Sequence, residues 1–176
     1  MKEEENVDDP EVKEIQKSLE RSMERLYLDT SVYGGYYEQE FRYWSKALIE
    51  KIHKGEFRVI FSEVVDGEIN DAPEDVKKLV RDIPKQMIEF VPLSDSSIEL
   101  TEAYIGEGVV GKTSRADCFH IALATLNSAD VLVSWNFKHI VNFKKIRGYN
   151  AVNYKFGYKI LDIRTPREVI GDDEEQ

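Results

Sequence analysis

Apolar positions change their spacing several times along the chain, and each change marks an expected element. After the acidic leader MKEEENVDD, the run PEVKEIQKSLERSMERL places Val12, Ile15, Leu19, Met23 and Leu26 at helical intervals. This predicts an amphipathic helix with Pro10 near its first turn and Asp8 or Asp9 as its cap. Arg25 to Asp29 (RLYLD) then reads as a short apolar strand, TSVYGGYY as a loop, and Glu38 to Lys54 as a charged, aromatic helix. Phe57 to Phe61 is a second strand, with Ser62 capping the helix SEVVDGEI. Pro73 to Asp82 reads as a helix, Ile88 to Val91 as a third strand, and Ser94 as the cap of SSIELTEAYIGEG. Beyond the glycine-rich GEGVVGK, Ser114 opens the apolar helix RADCFHIALATLN, followed by a strand at Asp130 to Ser134. A short helix is expected near Lys138 to Arg147 and a last strand over Tyr158 to Ile163. Short strands alternating with helices predict a three-layer α/β domain with a mostly parallel central sheet flanked by helices. Residues 1–24 form an acidic N-terminal extension, 25–170 the domain, and 171–176 an acidic tail.

Composition narrows the function classes. The 176 residues carry 34 acidic and 24 basic side chains, for a net charge of −10. Taken alone this disfavours a nucleic-acid binder, because phosphate attraction requires basic surface. The charge is unevenly placed, however: residues 1–9 and 171–176 hold −4 each, which leaves −2 for the body. No apolar run approaches the roughly 20 residues of a membrane span, and the acidic start is unlike a secretory signal, so a cytoplasmic location is expected. One cysteine, Cys118, excludes an internal disulfide and any multi-cysteine zinc site, and it reads as a small buried hydrophobe.

Ligands of open α/β sheets sit beyond the carboxyl ends of the strands, and four polar residues are candidates there. Asp29 ends the first strand, Glu68 lies in the helix after the second, Asp117 stands in the first turn of the apolar helix, and Asn136 follows DVLVS. Each also has a plain reading: Asp29 and Asn136 as turn or cap groups, Glu68 as solvated surface, and Asp117 as a helix-dipole partner. Asp117 is the sharpest signal, since its neighbours are apolar and an unpaired buried carboxylate is costly. Thr30, Ser31 and Ser134 adjoin these acids and could hydrogen-bond them. His120 shares the helix face of Asp117, where a satisfied core histidine is the commoner reading. His139 could contact phosphate, or cap or pack.

Together YLDTSV, SEVVDGEI, RADCFHIALAT and VLVSWNFKHIVN resemble, in order and spacing, the PIN-domain ribonucleases, and in particular the VapC-like toxins of toxin–antitoxin pairs. The resemblance covers about residues 25–170. It implies a PIN-like α/β fold and an acidic cluster of Asp29, Glu68 and Asp117 binding Mg²⁺ or Mn²⁺. It further implies metal-dependent hydrolysis of RNA phosphodiesters, homodimerisation, and a small antitoxin partner of a type II pair. The chain departs from the usual pattern at Asn136, where many PIN nucleases carry aspartate. Asn136 would offer a neutral carbonyl oxygen, so a second metal should bind weakly. A non-catalytic PIN-fold module that binds RNA or protein therefore stays open as the alternative. A phosphatase-like hydrolase is disfavoured because Ser31 stands where such enzymes carry a second aspartate.

Between Asp130 and Asp162 lie 31 residues without an acid, where the chain average would place about six. This stretch interleaves Lys138, Lys144, Lys145 and Arg147 with Trp135, Phe137, Phe143, Tyr149 and Tyr154. Cations for phosphate and flat rings for unstacked bases are the means of single-stranded RNA recognition. With His139 and, before Asp117, Arg115, these cations are the expected RNA-facing groups.

Overall fold

The structure, a computed structural model, describes residues 10–171. The expected caps Asp8 and Asp9, the acidic leader and residues 172–176 lie outside the described residues. Five strands form one parallel sheet: β1 (Glu24–Leu28), β2 (Phe57–Ser62), β3 (Ile88–Val91), β4 (Val131–Val133) and β5 (Asp162–Arg164), in the order β3-β2-β1-β4-β5. Leu26 pairs with Val59 on one side and Val131 on the other, and Tyr27 with Ile60 and Leu132. These central strands are continuous apolar runs because helices cover both faces, so Leu26, Tyr27, Leu28, Ile60 and Leu132 are fully buried. Strand order reverses between β1 and β4, which opens a crevice at their carboxyl ends. The ladder closes there, with Asp29 N–H donating to the Val133 carbonyl (3.0 Å) and Ser134 N–H to that of Arg164 (3.0 Å).

At the opposite end of β1, Arg25 braces the sheet. Its guanidinium donates two bonds to Glu89 on β3 (2.7 and 3.0 Å) and reaches the carbonyls of Asn127 and Ser128 before β4.

The helices are α1 (Pro10–Ser22), α2 (Thr30–Gly35), α3 (Arg42–His53), α4 (Glu63–Asn70), α5 (Glu74–Arg81), α6 (Asp95–Gly106), α7 (Arg115–Leu126), α8 (Phe143–Lys155) and α9 (Pro166–Ile170). Val12 and Ile15 of α1 are exposed. Helix α7 is buried on most sides, which explains its weak amphipathicity.

Three segments differ from the sequence expectation. TSVYGG is helical rather than a loop, and Gly35 serves close packing: a Cβ there would stand 2.9 Å from Ser45 Oγ and from the Trp135 ring. Gly35→Ala is expected to lower stability by about 1–3 kcal/mol. The measurement is the denaturation midpoint with Trp135 emission as a probe, and an unchanged midpoint would mean the contact relaxes freely. Residues 138–142 form a turn in place of the first part of the expected helix. The Asn136 carbonyl accepts the N–H groups of Ile140 (3.0 Å) and Val141 (2.8 Å), and Asn142 then caps α8 through Lys145 N–H (3.2 Å). Finally, the last strand starts only at Asp162, because the Asn150 side chain pairs with both backbone groups of Leu161 and takes the place of a ladder partner.

Candidate metal centre

Asp29 leaves β1 in an extended conformation and occupies the N-cap position of α2, yet its carboxylate makes no cap bond. Instead Oδ2 accepts the hydroxyls of Ser31 (2.6 Å) and Ser134 (2.7 Å), and the residue is only 6% exposed. Each hydroxyl in turn accepts a backbone N–H from the segment after β4: Trp135 N–H on Ser31 Oγ and Asn136 N–H on Ser134 Oγ, both at 2.9 Å. Asp29 is thus anchored across the β1–β4 crevice, and its Oδ1 is left facing inward.

Glu68 projects from α4 toward the same space. The Thr30 hydroxyl donates to its Oε2, and His120 Nε2 lies 3.2 Å from Oε2, 3.3 Å from Oε1 and 3.4 Å from Asp29 Oδ1. His120 comes from α7 and is buried. Its Nδ1 lies 2.9 Å from the Tyr27 hydroxyl, which is 2.7 Å from Ser62 Oγ, the N-cap of α4. Burial alone would drive the proton from His120, but the Glu68 hydrogen bond and the charges of Asp29 and Glu68 outweigh it and raise the pKa above the usual histidine value. Burial likewise pushes Glu68 up, but the bond and charge of His120, aided by Thr30, hold it below the usual carboxylate range. Burial lifts the Tyr27 phenol well above its ordinary value, so it remains protonated.

Asp117, half-buried in the first turn of α7, accepts the side-chain amide of Asn136 at 2.9 Å on Oδ1. Its pKa is raised, first by burial and then by the charges of Asp29 and Glu68, against the opposing pull of His139 and His120. The Asn136 side-chain carbonyl is turned the other way and accepts His139 N–H (3.0 Å). Asn136 thus presents an N–H to Asp117 and closes a turn with its oxygen.

Among the described residues, the group whose donor atoms all lie within 4.8 Å of one another is Asp29, Glu68 and His120, with His120 where the sequence reading placed Asp117. Two carboxylates backed by hydroxyl donors, with one imidazole nitrogen and a third carboxylate nearby, fit a divalent cation. His120 Nε2 faces both acids, and their charges favour a positive ring there. Sequence reasoning assigned His120 to the core, and the available signal was its place three residues after Asp117 on the same helix face.

The expected RNA-facing cations divide. Lys138, Lys144 and Arg147 are exposed, with Arg147 over the Phe143 ring (5.7 Å). Lys145 Nζ lies 3.0 Å and Ser114 Oγ 3.1 Å from His139 Nδ1. Arg115 is paired with Glu102 on α6. Cys118 is buried, and burial pushes its thiol up to about 12.

No family model matches the chain, and no curated protein matches it. Among solved structures the chain is similar to one from the crystal structure of VapBC2 from Rickettsia felis bound to a DNA fragment from their promoter. The TM-score is 0.51 at 16% identity over 80% of this chain and 98% of that one. The likeness is one of fold: three layers about a five-stranded parallel sheet, a PIN-like architecture. Among the described residues no helix is long and apolar enough to cross a membrane.

Proposed function

We propose that this chain is a metal-dependent endoribonuclease that hydrolyses RNA phosphodiester bonds, and that it is the toxin of a type II toxin–antitoxin pair. The observation that carries the reading is the convergence of Asp29, Glu68 and His120 donor atoms within 4.8 Å at the carboxyl end of the central strand. Asp29 and Glu68 would hold Mg²⁺ or Mn²⁺, with Asp117 completing the acidic set, and His120 could offer its Nε2 only after releasing the proton it shares with the two acids. When bound, such a cation lowers the pKa of a water and offsets charge growing on the phosphate. Ser31 and Ser134 fix Asp29, Thr30 fixes Glu68, and Asn136 holds Asp117. His139 offers an N–H, and Lys138, Lys144 and Arg147 offer charge, to phosphates along the strand. The likeness to VapBC2 supports a small antitoxin as partner and a homodimer as the working unit. Residues 25–170 form the nuclease unit of this proposal, flanked by the two acidic segments.

The test is incubation of purified protein with single-stranded RNA and Mg²⁺ or Mn²⁺, alongside chelator and Asp117→Asn controls. Cleavage that needs metal and is lost in the variant is expected. Cleavage surviving both controls would belong to a contaminant, and none with any metal would favour the non-catalytic binding module.

Two further results are expected. Asn136→Asp replaces the amide facing Asp117 with a fourth carboxylate, so Mn²⁺ binding measured by calorimetry should tighten. Affinity equal to that of the wild type would place Asn136 outside the metal's reach. Removing Lys144 and Arg147 together should weaken RNA binding and lower its log–log salt slope by about 1.4, at roughly 0.7 per cation for single strands. An unchanged slope would move the RNA path elsewhere.

A further inference from the structure

A pocket of about 340 Å³ lined by Trp135 and Phe137, the two neighbours of Asn136 in the chain, is walled by aromatic rings. Trp135 stacks on Phe41 with centroids 4.6 Å apart and planes 24° apart, and Phe137 stands 6.1 Å from Trp135 and 6.4 Å from Phe41. Trp44 completes the wall beneath the Arg167 guanidinium, 5.9 Å from its ring. The rings are held rather than loose. Trp135 Nε1 donates to buried Ser45 Oγ at 2.9 Å, and its backbone N–H donates to Ser31, the residue that anchors Asp29. Phe137, in contrast, leaves half its surface in water.

We propose that this pocket is a nucleobase subsite, which takes one unstacked base of the RNA strand whose phosphate lies at the acidic centre. The inference rests on the nuclease reading above and adds to it where a base would sit.

Continuity with the centre favours a base as occupant. Trp135 and Phe137 flank Asn136 in one tripeptide, and consecutive Cα atoms lie about 3.8 Å apart, so the ring wall begins within one residue of the group that touches Asp117. The chemistry agrees: stacked rings offer a flat face to a base, and Arg167 contributes a cationic plane and donors at the rim. The rings of Phe143, Tyr154 and Phe156 are also exposed, but none of them is part of the tripeptide that carries Asn136.

The test uses both tryptophans of the chain, Trp44 and Trp135, since both line the pocket. In chelator, where the nuclease reading predicts no cleavage, the full chain is titrated with a single-stranded RNA octamer and with an abasic ribose-phosphate oligomer of equal length. Tryptophan emission is followed in both. The octamer should quench and the abasic oligomer should not, while Phe137→Ala should bind the octamer about 5- to 100-fold more weakly. Phe137→Leu, which keeps an apolar side chain but loses the ring, should resemble Phe137→Ala. Equal quenching by both oligomers, or unaltered affinity in both variants, overturns the subsite. So does an absence of quenching combined with a change in sedimentation of Phe137→Ala, which would make the rings a protein contact surface. Metal-dependent cleavage by the wild type without base-dependent quenching sinks the subsite alone, and quenching without cleavage sinks the nuclease reading alone.

Discussion

Asp29→Asn is expected to yield a folded protein whose metal-stimulated RNA cleavage falls on the order of 10²–10³-fold or more, the range for loss of one transition-state stabiliser. The asparagine oxygen can keep both hydroxyl bonds, from Ser31 and Ser134, that define the position of Oδ2. What disappears is one negative charge and the inward-facing oxygen. The attraction to buried His120 is lost and only partly offset by relief of the repulsion from Glu68 and Asp117, so the melting temperature in chelator should fall. The discriminating measurement is the thermal shift with Mn²⁺, because a ligand that binds only the native state raises its stability by mass action. Wild type should show the shift and the variant should not. A variant that retained both the shift and the rate would remove Asp29 from the metal centre.

The second large effect is on stability. His120→Leu fills the space with apolar volume but leaves Asp29 and Glu68 facing each other and takes one partner from the Tyr27 hydroxyl. Breaking a buried ion pair by removing one member costs about 3–5 kcal/mol. The low end applies here, because the Glu68 side chain is 36% exposed and water screens part of the repulsion. Denaturant melts in chelator should show this loss, and added Mn²⁺ should restore part of it by replacing the missing positive charge. A loss of the same size with and without the cation would mean that His120 matters only as packing.

The same residue sets a pH dependence. Burial lowers the His120 pKa, but the Glu68 hydrogen bond and the charges of Asp29 and Glu68 raise it further, so the folded value lies above the ordinary 6.5. A group with a raised folded pKa contributes fully below its unfolded value and ceases to contribute as pH rises through the folded one. The metal-free wild type should therefore lose stability as pH climbs above about 6.5, and His120→Leu should show a flatter curve over that window. Equal slopes would take His120 out of the proton balance.

How much of this was legible depends on whether local chemistry or distant packing decided each position. The strands could be read because burial on both faces leaves nothing but apolar residues, as in RVIF and VLV. The short helix at Thr30 could not be. Its glycine pair reads as a turn, whereas the need for Gly35 comes from Trp135, a hundred positions away. The expected helix near Lys138 starts later, at Phe143, because the Asn136 carbonyl holds residues after it in a turn and Asn142 supplies the cap. In the crevice, Asp29, Glu68 and Asp117 were singled out by their places at a strand end and on helices, and were grouped by the resemblance of the four motifs around them. The role of His120 depends on which carboxylates surround it, which is not local information. For Asn136 the residue type was read but its direction was not, since the turn it closes fixes which end of the amide meets Asp117.

The place of β1 has a consequence for biosynthesis. The first strand in the chain is the middle strand of the sheet, and the hydroxyl that completes its acidic anchor arrives 105 residues later. Until β4 is made, β1 can pair only with β2, and one side of the most buried strand stays open. Contacts this distant in sequence slow folding and leave an exposed edge while they are awaited. A nascent chain at the ribosome, surrounded by RNA, therefore carries Asp29 and Glu68 well before it carries the Ser134 and Asn136 that hold the site in shape. The centre is assembled only after β4 and the turn behind it have been made.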